Sequence, residues 1–130
     1  MKIAVIGLGF VGLSLSSVLA SRGITTIGID SDRKKCSKIA KGIPTFFEPN
    51  LEKTLKKALK KNLIITNKLS SINNCDFIFV TVGTPQKKNG EIDLSMIKVV
   101  TSDIGKLLSK CKNNPIILIK STVIPGTMKD

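Results

Sequence analysis

The sequence of 130 residues contains no histidine, no tryptophan and no tyrosine. Without histidine, the chain lacks the base of a Ser-His-Asp triad or a Cys-His pair and the imidazole ligands of most catalytic zinc sites. The five phenylalanines are the only aromatic residues, so there are few rings on which the bases of a single strand could stack. These absences argue against triad hydrolases, zinc enzymes and single-strand binding proteins, and we predict no metal site.

Cysteines and long apolar runs are also scarce. Cys36, Cys75 and Cys111 are widely spaced and form no CxxC pair, which argues against a disulfide framework and favours buried or half-buried thiols. No apolar run approaches the roughly 20 residues that cross a bilayer. The apolar N-terminus is interrupted by glycines and lacks a signal-peptide cleavage site. We therefore expect a cytoplasmic protein without a membrane partner.

The balance of charge is the unusual bulk property. Lysine and arginine total 21 residues and aspartate and glutamate nine, which gives a net charge of +12. A basic surface raises the local concentration of anions such as dinucleotides, nucleotide sugars or nucleic acids. The lysines are spread along the chain, apart from a denser patch between Lys53 and Lys61. We interpret most of them as a solvated face and expect no nucleic-acid partner.

Short apolar runs alternate with segments of helix length, a pattern typical of a parallel sheet with crossover helices. Strands are predicted at 2–6, 25–30, 63–66, 77–82 and 115–120, the fourth being buried on both faces. Helices are predicted at 10–21, 32–41, from Glu48-Pro49 onward, and at 93–111. The first helix is predicted to bury Val11, Leu15, Val18 and Leu19, and the third Leu51, Leu55, Ala58 and Leu59. The predicted fold is an α/β doubly wound parallel sheet of five strands with helices on both faces.

Residues 7–12 read GLGFVG and match the pattern GxGxxG between a predicted strand and a predicted helix. In that position Gly7 permits a tight turn, Gly9 lets the backbone approach a pyrophosphate, and Gly12 lets the helix pack close to the strand. The N–H groups and partial positive charge of the helix N-terminus then favour phosphates. This context predicts a Rossmann-type dinucleotide site.

Asp30 ends the second predicted strand, 18 residues beyond Gly12, close to the spacing of about 20 in dinucleotide-binding domains. A carboxylate there accepts hydrogen bonds from a ribose diol and repels a 2′-phosphate, which favours NAD over NADP. Arg33, Lys34 and Lys35 follow and could offset that repulsion. Two alternatives remain at this point: a glycine-rich turn with a capping aspartate, and an S-adenosylmethionine site.

The fourth and fifth predicted strands end in small and hydroxyl-bearing residues. The fourth runs into Val82, Gly83, Thr84 and a proline, and the fifth into a segment that contains Thr122. Ligands of open α/β sheets bind beyond the carboxyl ends of the strands, where glycine allows close approach and threonine hydroxyls donate or accept hydrogen bonds. Either segment alone would suit an ordinary turn. Together with the glycine loop they indicate one cofactor cleft.

These motifs together resemble the UDP-glucose/GDP-mannose dehydrogenase family over nearly the whole chain. The matching segments are IAVIGLGFVGL, GID with Lys35 five residues on, residues 42–51, VGTP, DLS at 93–95, and KSTVIPGT. VGTP followed by STVIPGT is far more specific than the glycine loop. Asn50 departs from the family pattern, because many relatives have glycine there.

The resemblance implies a four-electron oxidation in which two NAD molecules take the C6 alcohol of a UDP-sugar, with UDP-glucose favoured, to a carboxylate. UDP-N-acetylmannosamine and GDP-mannose are alternative substrates. The family pattern implies that Asp30 binds the adenosine ribose with Lys35 beside it. It also implies that Thr122, the one catalytic residue, helps hold a water at the reacting carbon. The implied cofactor-binding residues are Gly7, Gly9, Phe10, Val11, Gly12, Asp30, Lys35, Val82, Gly83, Thr84 and Thr122.

The resemblance also implies that residues 1–130 are an N-terminal NAD-binding domain, without the central dimerisation helix and the C-terminal UDP-sugar domain. The family's nucleophilic cysteine, in a motif ending CxPKD, does not occur in the sequence. We therefore expect this chain to bind NAD without turnover and the full-length protein to be a homodimer. A β-hydroxyacid dehydrogenase is a weaker alternative, because that group usually has Asn-Arg where this chain has Asp30-Ser31. A stand-alone NAD-sensing module is the second alternative function.

Overall fold

The computed structural model describes residues 1–127, and its architecture is one parallel sheet flanked by helices. The strands are β1 (Lys2–Ile6), β2 (Thr25–Ile29), β3 (Leu63–Thr66), β4 (Phe77–Val80) and β5 (Ile116–Ile119). The helices are α1 (Phe10–Ser21), α2 (Arg33–Ala40), α3 (Leu51–Leu59) and α4 (Ser95–Leu108), and a short 3₁₀ helix spans Leu69–Ile72. No helix in this part of the chain is long and apolar enough to cross a membrane.

The strand order is β3-β2-β1-β4-β5, with every neighbouring pair parallel. The chain moves outward from β1 to β3 in one direction and then returns to start β4 on the other side of β1. This reversal opens a crevice between the carboxyl ends of β1 and β4, the place where doubly wound sheets bind their ligands. The predicted α/β fold of five parallel strands is confirmed.

Alternate residues of the strands point to opposite faces of the sheet and belong to two separate hydrophobic cores. On one face, Ala4 and Ile78 belong to a cluster that includes Ile97 and Ile104 of α4. On the other face, Leu63 of β3 packs with buried residues of α1 and α3. Helices therefore lie on both faces of the sheet, and each core fixes one half of the crevice.

The predicted buried face of α1 is wrong. Val11 and Val18 are 51% and 45% exposed, and Leu15 and Leu19 are only partly buried. The residues that face the sheet are mostly small: Gly12, Leu13, Ser16, Ser17 and Ala20. A helix that begins at a tight turn directly after β1 lies close to the sheet, so small side chains fit beneath it and larger apolar ones are turned outward.

The fourth strand is buried on one face only, contrary to the prediction. Ile78 and Val80 are buried, whereas Phe77 and Phe79 are partly exposed. The register places both phenylalanines on the face that carries α1 and α3. Those two helices contact β1, β2 and β3, and they leave the β4 side of that face less covered.

Helix α3 begins later than Glu48-Pro49 suggested. Its first residue is Leu51, and Asn50 before it has φ +64°. Glycine adopts this left-handed conformation without strain and asparagine is among the few other residues that tolerate it. The departure from the family pattern at Asn50 is therefore a substitution that the backbone accepts. Of the predicted apolar stripe, Leu51, Leu55 and Ala58 are buried, and Leu59 is partly buried against the same core.

Candidate cofactor-binding site

The glycines of the loop between β1 and α1 have three different surroundings. Gly7 has φ +95°, and a Cβ there would lie 2.9 Å from the carbonyl carbon and oxygen of Thr81. A Cβ on Gly12 would lie 1.8 Å from the carbonyl oxygen of Gly7. A Cβ on Gly9 would meet no atom within 4 Å. Gly7 and Gly12 are thus required by the packing of the chain, and only Gly9 faces open space.

The N-terminus of α1 points its first N–H groups into that open space. Gly9 caps the helix without any side-chain hydrogen bond, and the N–H of Leu13 donates to the Gly9 carbonyl at 3.0 Å. The N–H groups of Phe10, Val11 and Gly12 therefore have no acceptor within the helix. Such a terminus binds phosphate oxygens through its N–H groups and its partial positive charge.

The Phe10 side chain packs against a second aromatic ring. Its ring centroid lies 4.4 Å from that of Phe46, in the connection between α2 and α3. The ring thereby joins the glycine loop to that connection. The backbone of Phe10, rather than its ring, is the part suited to meet an anion.

Asp30 directly follows β2, and its carboxylate is held by three donors. Oδ2 accepts hydrogen bonds from the Leu8 N–H at 2.8 Å and from Lys35 Nζ at 2.9 Å, and Oδ1 accepts one from the Asp32 N–H at 3.0 Å. Burial alone would raise the pKa of Asp30, but these hydrogen bonds and the Lys35 charge outweigh burial and hold the pKa below its ordinary value. The carboxylate is therefore ionised at neutral pH and lines the cleft as an acceptor.

Two hydroxyls join the strand ends on the other side of the cleft. The Thr81 hydroxyl lies 2.7 Å from the Gly7 carbonyl oxygen, and Ser121 Oγ donates to the Val82 carbonyl at 2.6 Å. The exits of β1, β4 and β5 are thus connected in series. Thr84 and Thr122 lie in the loops that these contacts hold.

A cleft of about 1000 Å³ runs along these strand ends. It brings together all but one of the predicted site residues: Gly7, Gly9, Phe10, Val11, Asp30, Lys35, Val82, Gly83, Thr84 and Thr122. Gly12 is buried beneath the loop and acts through packing. The volume is at the upper end of the range of ligand clefts, as an extended ligand requires.

Helix α4 contributes a wall of the cleft that was not predicted from the sequence. Met96, Val99, Val100 and Asp103 line the cleft, and Met96 and Val99 are exposed apolar residues. Their spacing of three and four residues places them on one face of the helix. That stripe was visible in the sequence but is indistinguishable there from an ordinary core face. Asn67, just past β3, also lines the cleft and could have been found from the strand-end rule.

The site has the parts that an extended dinucleotide requires. Unpaired helix N–H groups at Phe10 and Val11 suit a pyrophosphate, and the Asp30 carboxylate suits a ribose diol. The apolar stripe at Met96 and Val99 suits the flat face of a base. The open space above Gly9 lets the backbone approach the ligand. These features define a dinucleotide-binding Rossmann domain.

The family follows from comparison with known proteins. The model of the UDP-glucose/GDP-mannose dehydrogenase family, NAD binding domain, matches residues 1–130. The chain belongs to this family as its NAD-binding domain, and its cofactor is NAD. The predicted family and cofactor are confirmed.

Individual relatives agree with this assignment. A UDP-glucose 6-dehydrogenase of Bacillus subtilis is 38% identical over 130 residues, which are 98% of this chain and 28% of that protein. A GDP-mannose 6-dehydrogenase of Pseudomonas syringae pv. tomato is 35% identical over 98% of this chain and 30% of that protein. The crystal structure of a ternary complex of GDP-mannose dehydrogenase from Pseudomonas aeruginosa superposes with a TM-score of 0.97 at 34% identity. This match covers 100% of the present chain and 30% of the GDP-mannose dehydrogenase chain. The chain therefore spans about 30% of the length of these relatives.

The cysteines are not part of the cleft lining. Among residues 1–127, none of the three lines it. Burial, the largest effect at each site, raises the pKa of the Cys36 and Cys75 thiols, so both are protonated at neutral pH. The Cys36 thiol lies 3.3 Å from the Asp30 carbonyl oxygen and 3.4 Å from that of Thr66. These thiols are built into the core, as the wide spacing predicted.

Proposed function

We propose that this chain is the cofactor half of a nucleotide-sugar 6-dehydrogenase, which oxidises the C6 alcohol of a UDP-sugar to a carboxylate with two NAD. The observation that carries the proposal is the single cleft that joins the glycine loop, Asp30, VGTP and STVIPGT at the switch point of the sheet. When bound, NAD supplies a hydride acceptor. The residues of this chain bind it, orient it and line one side of the reaction space.

In this proposal the pyrophosphate lies on the N–H groups of Gly9, Phe10 and Val11. Asp30 accepts hydrogen bonds from the adenosine ribose, and Lys35 lies beside it. The geometry favours these roles because the N–H groups and the carboxylate line the same cleft. Gly12 contributes by letting α1 pack close to the loop.

At the other end of the cleft, we assign Thr84, with Val82 and Gly83 in the same loop, to the cofactor riboses. Thr122 is assigned to the nicotinamide side, where its hydroxyl helps hold a water at the reacting carbon. Thr84 and Thr122 both line the cleft, and the Ser121 hydrogen bond to the Val82 carbonyl keeps their loops together.

For the substrate we favour UDP-glucose, with UDP-N-acetylmannosamine and GDP-mannose as alternatives. Relatives named for UDP-glucose and for GDP-mannose match this chain about equally well. The preference rests on the form of VGTP and STVIPGT alone. A β-hydroxyacid dehydrogenase is less well supported, because Asp30 is followed by Ser31 rather than by the Asn-Arg pair of that group.

We further propose that residues 1–130 bind NAD without turning over a substrate and that the full-length protein is a homodimer. Hydride transfer requires a substrate held against the nicotinamide. The sequence has no CxPKD motif, and burial keeps the Cys36 and Cys75 thiols protonated. The alternative of a stand-alone NAD-sensing module would have the same cofactor site.

The test is calorimetric titration of the purified chain and its Asp30→Ala variant with NAD and with NADP at moderate salt. We expect saturable NAD binding and weaker NADP binding in the wild-type chain. The variant should lose that preference, because it lacks the carboxylate that binds the diol and repels a 2′-phosphate, while Lys35 remains. If the wild-type chain prefers NADP, or the variant keeps the full preference for NAD, the role of Asp30 is wrong. NADH formation with UDP-glucose would contradict the proposed lack of turnover.

A further inference from the structure

Thr81 is the first residue after β4, and its side chain is directed at the glycine loop. Its hydroxyl lies 2.9 Å from the carbonyl oxygen of Ile6 and 2.7 Å from that of Gly7. Its backbone N–H also donates to the Ile6 carbonyl, at 2.8 Å. This one residue thus holds the last carbonyl of β1 and the first carbonyl of the loop, which are 75 and 74 positions away in sequence.

Thr81 contacts the loop closely through both its hydroxyl and its backbone. A Cβ on Gly12 would lie 2.5 Å from Thr81 Oγ1, and a Cβ on Gly7 would lie 2.9 Å from the Thr81 carbonyl carbon. The hydroxyl therefore lies where the exit of β4, the loop and the first turn of α1 meet. The two glycines are what make this approach possible.

The Gly7 carbonyl and the Leu8 N–H belong to one peptide group, which is planar and rigid. The Thr81 hydroxyl is bonded to its oxygen at 2.7 Å, and the Asp30 carboxylate accepts from its nitrogen at 2.8 Å. The Gly7–Leu8 peptide is thus fixed from both sides. Its orientation sets the direction in which the backbone enters Gly9 and the first turn of α1.

We propose that Thr81 is a positioning residue for NAD, which acts by holding the Gly7–Leu8 peptide so that the N–H groups of Gly9–Val11 face the cleft. The proposal rests on the proposed site, because it requires the pyrophosphate to bind there. Thr81 lies one position before VGTP and outside the residues that the family pattern implies. Thr81 also lines the cleft, but its hydroxyl is directed at the Ile6 and Gly7 carbonyl oxygens, so we assign its effect on the cofactor to the peptide that it orients.

The test compares NAD affinity of the 130-residue chain with that of the Thr81→Val and Thr81→Ser variants by calorimetry. Valine has nearly the shape of threonine but cannot donate a hydrogen bond, whereas serine can. We expect Thr81→Val to weaken NAD binding about tenfold, the order of magnitude for loss of one such hydrogen bond. Thr81→Ser should stay within about threefold of the wild-type chain. Thr81→Ala places no methyl group against the Gly7 carbonyl and should weaken NAD binding as much as Thr81→Val does. It replaces Thr81→Val in the comparison if that variant does not fold.

Two further measurements separate positioning from a general loss of stability. The Leu8 amide hydrogen should exchange with solvent faster in Thr81→Val than in Thr81→Ser, because the peptide is held from one side only. The matched control is Thr26→Val, since Thr26 is fully buried and donates to the Ile24 carbonyl at 2.9 Å at the opposite end of the sheet. That variant should lower the unfolding temperature and leave NAD affinity unchanged.

NAD binding by folded Thr81→Val within twofold of the wild-type chain would overturn the proposal, as would an equal loss in Thr81→Val and Thr81→Ser. In either case the proposed function would stand, because the wild-type chain binds NAD. If the wild-type chain itself binds no NAD, the proposed site and this inference fail together.

Discussion

Replacing Gly9 with alanine adds a methyl group that meets no atom of the chain within 4 Å, whereas the same change at Gly12 places a carbon 1.8 Å from the Gly7 carbonyl oxygen. The two substitutions are chemically identical and lie three residues apart in one loop. They therefore separate the part of the loop that binds a ligand from the part that packs. We expect Gly9→Ala to weaken NAD binding without loss of stability, and Gly12→Ala to lower stability.

The effects on stability follow from the backbone and the contacts. Gly9 has φ −79° and ψ −158°, which alanine adopts readily, so Gly9→Ala should leave the free energy of unfolding unchanged or raise it by up to about 1 kcal/mol. At Gly12 the obstacle is a backbone carbonyl, with Thr81 Oγ1 a further 2.5 Å neighbour. Helix α1 must then move away from β1, and we expect a loss of about 3 kcal/mol. For a domain of this size, that loss lowers the unfolding temperature by roughly 10 °C.

The effects on binding are different. The methyl group of Gly9→Ala stands in the open space through which the backbone would meet the pyrophosphate, so NAD affinity should fall at least tenfold, or about 1.4 kcal/mol. Thermal unfolding without ligand and calorimetry with NAD measure the two quantities separately. Wild-type affinity in Gly9→Ala would refute the placement of the pyrophosphate over Gly9. Wild-type stability in Gly12→Ala would refute the close packing of α1 on the loop.

Two further predictions concern stability alone. Ser16 and Ser17 are fully buried neighbours in α1; Ser16 Oγ donates to the Gly12 carbonyl at 2.8 Å, whereas Ser17 Oγ has no partner among the described residues. Ser17→Ala should therefore raise the free energy of unfolding by about 1–2 kcal/mol, and Ser16→Ala should change it little. Chemical denaturation of both variants measures these changes. A loss of stability in Ser17→Ala would show that the Ser17 hydroxyl is hydrogen-bonded. The pKa of Asp30 is lowered in the folded chain, so the ionised carboxylate stabilises the fold. This contribution is fully present above the ordinary aspartate pKa of about 3.9 and is lost as the pH falls through the lower pKa of the folded chain. The stability difference between the wild-type chain and Asp30→Asn should accordingly be constant above about pH 5 and shrink below about pH 4, and a difference that grows on acidification would reverse the assigned shift.

The fold could be predicted largely from the sequence, because each strand is a short apolar run and each helix a longer segment closed by glycine or a polar residue. Gly23 and Gly42 follow α1 and α2 with φ +95° and +79°, a conformation common for glycine just past a helix C-terminus. The strand bounds differ from the predicted ones by no more than two residues. Parallel pairing and the switch of strand order follow from that alternation, so the cleft was predicted at the correct edge of the sheet.

The features that the sequence did not predict depend on distances between elements. Which face of α1 is buried depends on how closely the helix approaches the sheet, and that distance is set by Gly12 rather than by the apolar residues Val11 and Val18. The cleft wall formed by Met96 and Val99 depends on where α4 lies over the strand ends. The 3₁₀ helix Leu69–Ile72 and the bridge between Gln86 and Ile92 are too short to give a periodic pattern.

The glycine loop and the acidic residue after β2 are separate signals in the sequence, but they share one peptide group in the folded chain. The Leu8 N–H donates to Asp30, and the carbonyl of the same peptide is bonded to Thr81. A rigid peptide cannot rotate at one end alone, so a change that releases its oxygen also weakens the contact at its nitrogen. The strength of cofactor binding at the loop and the preference for a ribose diol at Asp30 are therefore physically connected. This connection gives a structural reason why the two motifs occur together at a fixed spacing.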